Sequence, residues 1–344
     1  MVISYYGGKN KQSSWIYSMI TEDMKKNMKT FTEVFSGAFW VYANEDFSFC
    51  DRIIYNDMNS YLTNFFACCK KEEFIEYLKE QHEPGNLLYF DANISEDPKE
   101  VYDYNYNKFK EIFIKYRQEL YKDTEGKEIK IDIPDIEMAF KYGFMLRHAF
   151  SGVPSKKIGF SYSASSYKEG KKVPEPKSQI LLRNVVKDKV QNKLQGVSAF
   201  ECLDFEEHIN KYDSPETVFY VDPPYFGTEA NYFRGDEHFG REGHQRLANV
   251  LKNIKGKFIL SYYEFDELHD FYPEDEFHWE TKAFTRASTS CVKDETKDKK
   301  GYEVLIMNYD PHQEKKEEYQ KRATNDDLMK DVVDMDPSDD DFWS

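Results

Sequence analysis

The chain is poor in cysteine, holds no long apolar run and is short of positive charge. Its 5 cysteines, Cys50, Cys68, Cys69, Cys202 and Cys291, include no pair at the spacing of a zinc knuckle or redox motif. A disulfide-stapled secreted scaffold is therefore excluded, and the expectation is reduced thiols with neither a disulfide nor a structural metal. No apolar stretch approaches the roughly 18 to 20 residues needed to span a bilayer, so no membrane partner is expected. The start does not read as a signal peptide either, with its first lysine at position 9. The expectation is a soluble, cytoplasmic protein.

The formal net charge of −16 at first sight opposes a nucleic-acid partner, whose phosphates demand cations. The charge is segregated, however. Residues 141–195 carry 12 Lys and Arg against 3 acids, a local balance of +9, whereas residues 323–344 carry 8 Asp against 1 Lys, a balance of −7. Such asymmetry suits a binding face joined to a solvated arm, and a lysine-rich exposed surface accounts for the basic segment equally well. The closing stretch "DMDPSDDDFWS" has five Asp and no base, too little apolar surface to fold alone, so the acidic tail of 313–344 is expected to be disordered. Phe342 and Trp343 follow three acids there. They suit a docking peptide, for a protein partner or for the chain's own basic face, and a tail that only aids solubility fits as well.

At 344 residues the chain can bury a sizeable core. Residues 10–29 read as an amphipathic helix with Trp15, Ile16 and Met19 on one face, followed by a strand near "TFTEVF". "RIIYND" (52–57) is a second apolar run ending in an acid, and "SYLTNFFACC" continues as a helix. Between about 70 and 195 charged helices are separated by turn signals at "HEPGN", "DTEGKE" and "SGVPSKKIGF". Strands return at "VSAFECL", "VFYVD", "KFILSY" and "EVLIMNY", with helices at about 241–254 and 264–272. Strands spaced by helices predict an α/β sheet, formed by 1–69 and 196–312 and interrupted by a mostly helical insert over 70–195.

Four short stretches carry chemistry. "YYGGK" (5–9) is a glycine-rich loop entering a helix, where backbone N–H groups and Lys9 suit an anionic group; a plain turn gives the same pattern. "EVFSGAF" (33–39) follows a strand with a small-residue turn that lets a ligand approach the backbone. Asp57, in "YND", stands about 20 residues beyond that turn, where a carboxylate binds both hydroxyls of a ribose; a helix-capping carboxylate is the other reading. The fourth stretch, Asp222-Pro223-Pro224-Tyr225, is the specific one. Its prolines forbid strand or helix, leaving a stiff turn where a strand leaves its sheet. Methylating an aromatic amine requires its lone pair to leave the ring's conjugation, which is helped when two acceptors take its hydrogens. Asp222 and the carbonyl of Pro223 supply that rigid pair, and Tyr225 offers a face on which a base removed from its helix can stack.

In their order and spacing these stretches resemble the Dam-like DNA adenine methyltransferases. The resemblance runs to about residue 310 through Tyr5, Gly7 and Lys9, then Phe35 and Gly37, then Asn56, Asp57 and Asn59, and then Asp-Pro-Pro-Tyr. Later "GKFILSY" (256–262) and "EVLIMNY" (303–309) look like the family's closing strands. It implies a Rossmann-like methyltransferase fold with a mixed seven-stranded sheet and an inserted helical DNA-recognition module. It also implies S-adenosylmethionine as cofactor, held by Tyr5, Gly7, Gly8, Lys9, Phe35, Ser36, Gly37 and Asp57, the last through its ribose. Asp222, Pro223, Pro224 and Tyr225 would form the catalytic turn on a flipped adenine in double-stranded DNA. The enzymes it resembles serve bacterial or phage DNA methylation and restriction-modification. A catalytically idle DNA-binding relative, or a methyltransferase acting on an RNA or cytosine amine, are the competing functions.

Ala38 and Phe39 stand where glycines are frequent in the family. "FMLRHAFSGVPSKKIGFSYSASSYK" (144–168) resembles the recognition hairpin through Arg147, Gly152, Gly159 and Phe160, yet the expected Arg-Tyr-Asn after Gly152 is missing. The family's usual GATC target is therefore not carried over; Arg147, Lys156 and Lys157 remain the candidate DNA contacts. His238 and His244 are six residues apart, a separation that fits no common helix ligand spacing, so a mobile flap over the substrate is expected there rather than a metal site.

Overall fold

A computed structural model of the chain describes residues 3, 7–122, 134–149, 159–227, 239–285 and 300–313. Tyr5, Lys156, Lys157, His238 and the tail from 314 onward lie outside the described residues. Among the described residues no helix is long and apolar enough to cross a membrane.

Seven strands form one mixed sheet in the order β3-β2-β1-β4-β5-β7-β6. They are β1 (Thr30–Glu33), β2 (Arg52–Asn56), β3 (Ala199–Glu201), β4 (Thr217–Val221), β5 (Lys257–Tyr263), β6 (His278–Thr285) and β7 (Lys300–Met307). The first five run parallel, while β7 lies antiparallel between β5 and β6. The chain steps outward from β1 to β2 and β3, then returns to place β4 on the other side of β1. That reversal opens a crevice beyond the carboxyl ends of β1 and β4, where open α/β sheets bind ligands.

β4 is buried throughout, and its alternation shows why: Val218 and Tyr220 join one core, Phe219 and Val221 the other. The second core is closed by α10 (Phe205–Tyr212) and α11 (Gly240–Leu251), through Ile209, Leu247 and Leu251. The first includes α1 (Ser13–Tyr17), α2 (Glu22–Asn27), α3 (Trp40–Asn44) and α4 (Ser60–Cys69). The single helix expected over 10–29 is thus two. Ser18 Oγ turns back to the Trp15 carbonyl at 2.7 Å, and Thr21 caps a new helix by accepting the Met24 N–H at 3.1 Å.

Between β2 and β3 lie α5 (Glu72–Gln81), α6 (Pro98–Lys122), α7 (Ile136–His148), α8 (Lys177–Val185) and α9 (Asp188–Gln195). Their apolar faces share the first core rather than building a separate one. α7 crosses α4 closely at Gly143, where an added Cβ would meet the Phe65 ring at 2.4 Å. Asn64 of α4 fixes the entry to α7 by exchanging two hydrogen bonds with the Asp135 backbone. A short α12 (Leu268–Phe271) links β5 to β6.

Candidate active site

Asp222 follows the last residue of β4, at the crevice, and its turn leaves the acid only 16 % exposed. Lys9 comes from the glycine-rich loop before α1, where Gly7 takes the left-handed φ of 75° that an ordinary side chain disfavours. Its Nζ sits 2.8 Å from Asp222 Oδ1, 3.5 Å from Glu303 Oε1 and 3.2 Å from the Gly7 carbonyl. The same ammonium lies 4.7 Å over the Tyr225 ring, whose hydroxyl donates to Glu303 Oε1 at 2.9 Å. Tyr263 abuts that ring edge-on, with centroids 4.3 Å apart. One lysine, two acids and two tyrosines thus form a nearly dry cluster.

Burial pushes the Asp222 carboxyl up, to about 6, against the pull of Lys9 and with a further push from Glu303. Burial alone would lower the Lys9 ammonium, but Asp222 and Glu303 outweigh it, and the group is held above the ordinary lysine value. Asp222 is accordingly ionised near neutral pH despite its surroundings.

Glu33, at the end of β1, adds another buried acid. Burial raises it to about 8, against the Tyr42 N–H that donates to its Oε1 at 2.8 Å, and the nearby Asp222 raises it further. It is mostly protonated at pH 7. Beyond it, Ser36 ties the first strand's loop to the second: its hydroxyl donates to the Glu33 carbonyl at 2.7 Å and accepts the Asn56 N–H at 3.0 Å. Phe35 packs edge-on to Phe239 and tilted on Phe205.

Phe39 bears on the missing glycines. It takes φ 58° and ψ 43°, the left-handed region where glycine is at ease, and is the one non-glycine residue with positive φ among those described. The backbone of a glycine turn is thus kept while its residue is replaced. The buried ring compensates by packing on Tyr42 at 4.8 Å and Tyr55 at 5.2 Å.

Asp57 does not cap the following helix; Asn59 does, accepting the Leu62 N–H. Instead Asp57 receives the Gly37 N–H on one oxygen at 2.9 Å and the Asn59 N–H on the other at 2.8 Å. Burial raises its carboxyl to about 6 against those two donors. Among the described residues each oxygen keeps a second lone pair, which leaves two acceptor positions.

In the helical insert, Arg147 ends α7 half-buried, and its Nε has no hydrogen-bond partner among the described residues. Burial lowers its guanidinium. Ala149, two residues on, pairs antiparallel with Phe160, a bridge at the base of the segment that joins them. Buried His148 braces that base: its Nε2 accepts the Ser178 N–H at 3.1 Å, so Nδ1 carries the proton and donates to the Ser161 carbonyl at 3.0 Å. Among the described residues no contact joins Arg147 to the Asp222 cluster. His244 is buried on α11 and shares a 2.7 Å hydrogen bond with the Tyr262 hydroxyl, a core partner rather than a metal ligand.

Sequence reasoning passed over Glu33 and Glu303. Glu303 stands directly before the apolar run Val304 to Met307 and Glu33 between Phe31 and Val34, and an acid beside buried apolar residues is the available signal.

The sequence model of the D12 class N6 adenine-specific DNA methyltransferases matches residues 5–288, which takes in the glycine loop, the Phe35 to Gly37 turn, Asp57 and the Asp-Pro-Pro-Tyr turn. No curated protein matches the chain.

Proposed function

Because the chain belongs to the D12 class N6 adenine-specific DNA methyltransferase family, we propose that it moves a methyl group from S-adenosylmethionine to N6 of an adenine flipped from duplex DNA, with Asp222 and the Pro223 carbonyl as paired acceptors. The chemistry is that of an adenine-specific DNA methyltransferase; the donor, the flipped base and the roles of single residues are our reading. Its main support is the buried, ionised Asp222 on a double-proline turn at the crevice, paired with Lys9 at 2.8 Å.

The site's charge fits the cofactor. Asp222 and Glu303 face Lys9, and Asp57 follows β2 two strands from Asp222, so acids outnumber the lysine along this edge, which suits a ligand bearing a sulfonium and an ammonium. When bound, S-adenosylmethionine supplies an electrophilic methyl on its sulfonium. Asp57 retains acceptor positions for the ribose hydroxyls, and the turn from Phe35 to Gly37 lies beside it.

Asp222 accepts one hydrogen of the adenine amine and the Pro223 carbonyl the other, drawing the nitrogen lone pair out of the ring. The prolines hold both acceptors without rearrangement. As N6 gains the methyl, its surplus proton stays within reach of the Asp222 carboxylate. Lys9 keeps that carboxylate ionised in the resting site and lies over Tyr225 where a base would stack, so entry of adenine requires the ammonium to move aside.

Residues 1–69 and 196–312 make up the catalytic unit in this reading, and 70–195 the target-recognition module. The basic balance of 141–195, and an Arg147 Nε without a hydrogen-bond partner among the described residues, support the latter. The test is incubation of purified protein with methyl-labelled cofactor and adenine-containing duplex, followed by nucleoside analysis. N6-methyladenine from wild type but not from Asp222→Ala is expected; methylcytosine, or an Asp222→Ala variant as active as wild type, would overturn the reading.

A further inference from the structure

The end of β7 opposite Glu303 carries a second constellation of side chains. His278 and Glu280 stand two residues apart on one face of the edge strand β6, while Trp279 between them turns the other way and stacks on His269. Across from them, just after β7, stands His312. The Nε2 atoms of both histidines lie 2.9 Å from the same oxygen, Glu280 Oε1, and the three ligand atoms fall within 4.8 Å of one another.

Asp310 backs the cluster. Its Oδ1 accepts the backbone N–H of His312 at 2.8 Å and lies 3.7 Å from Nδ1 of His278. At that distance the carboxylate makes no hydrogen bond to the ring, but its charge favours a proton on the far nitrogen of His278 and leaves the near one for a metal. All three side chains remain partly open to solvent, which supplies an entry path.

From this convergence we infer a binding site for a borderline divalent transition metal, Zn²⁺ or a relative, held by Nε2 of His278, Nε2 of His312 and a Glu280 oxygen. Two imidazoles and one carboxylate are a donor set such ions take, and three protein ligands leave one position for water. Tetrahedral bonds of about 2.0–2.1 Å set neighbouring ligand atoms roughly 3.3 Å apart, so the Glu280 oxygen must retreat about 0.4 Å from each imidazole while the two Nε2 atoms, which lie within 4.8 Å, settle at that spacing. The Nε2 protons now shared with Glu280 pass to Nδ1, where Asp310 faces His278.

The location assigns the role. Met307, paired with His278, is four residues along β7 from Glu303, about 13 Å at a strand's rise, so the ion cannot reach the reacting amine. Instead it pins the outermost strand to the segment that leaves β7. The cysteine spacings, on which the expectation of no structural metal rests, are blind to this set because its ligands are His and Glu from two chain segments. The inference does not depend on methyl transfer.

The test uses the full-length protein, freed of any purification tag and of metal, titrated calorimetrically with Zn²⁺ alone. One ion per chain should bind with a Kd below about 10 µM, and metal at 100 times Kd should raise the melting temperature by roughly 4 °C. The pair His278→Gln and His312→Gln should abolish binding, and Glu280→Gln should weaken it at least tenfold. The variants' metal-free melting curves and methyl transfer, within about twofold of wild type, show that they fold. Absence of saturable binding by wild type would overturn the site. So would an unchanged Kd in the double variant, which would hand the ion to the cysteines.

Discussion

Lys9 Nζ and Asp222 Oδ1 meet at 2.8 Å, joining a loop near the start of the chain to the acid that closes β4. Both groups are largely removed from water, so each is held mainly by the other. Replacing Asp222 with Ala should therefore cut single-turnover methyl transfer about 100- to 1000-fold, the usual loss for one preorganised group. Cofactor affinity should stay within a few-fold. A variant retaining a tenth of wild-type turnover would remove Asp222 from the chemistry.

The same pair sets an acid limit on activity. In the proposed reaction Asp222 must be ionised to accept the amine's hydrogens, and burial has raised its carboxyl to about 6. kcat/KM should fall as pH drops through about 6. Lys9 pulls the carboxyl down, so Lys9→Met should move the limb upward by about 1 unit or more. A limb that stays in place would uncouple Lys9 from the step.

Glu33 makes a prediction about stability. Its folded value of about 8 exceeds the unfolded carboxyl's, so the folded chain holds a proton that the unfolded chain releases. Stability from this group is complete below about pH 4.5 and is lost as pH rises towards 8. Glu33→Gln has no such loss. Its stability relative to wild type should climb across that window and level off above pH 8, as denaturant melts at several pH values will show. A constant difference would contradict the buried, protonated acid.

Phe39 inverts a common packing rule. Truncating a buried Phe costs about 3–5 kcal/mol, and alanine normally suffers less than glycine. At φ 58°, however, Ala keeps the left-handed strain without the ring that offset it, roughly 1–2 kcal/mol. Phe39→Gly should be the more stable of the two by about 1 kcal/mol in chemical denaturation; the reverse order would show the turn relaxes once the ring is gone.

The basic insert predicts a salt effect. Lys156→Ala with Lys157→Ala should weaken duplex binding and make its dependence on log salt shallower by about one to two units of slope. An unchanged slope would place the phosphate path elsewhere.

Where the local sequence dictates the backbone, it was legible. The two prolines after Asp222 force the chain out of β4, and the alternating and β-branched runs marked most strands. The helix over 10–29 was misread because apolar periodicity passes unbroken through Ser18 and Thr21, whose hydroxyls divert the backbone. Glu303 is a different case. Only the antiparallel passage of β7 beside β5, with Glu303 opposite Tyr263, brings it to Lys9, and no short-range pattern encodes that pairing. Tyr5, Lys156 and Lys157 lie outside the described residues, so their roles rest on sequence alone.

The late position of β7 has a consequence for synthesis. A ribosome makes Lys9 long before Glu303, and β7 must enter between β5 and β6 after both are already made. Until then the lysine lacks the second of the two acids beside it, and the Tyr225 hydroxyl lacks its bond to Glu303. A nascent or clipped chain that stops before residue 300 therefore presents the Asp-Pro-Pro-Tyr turn without its supporting strand.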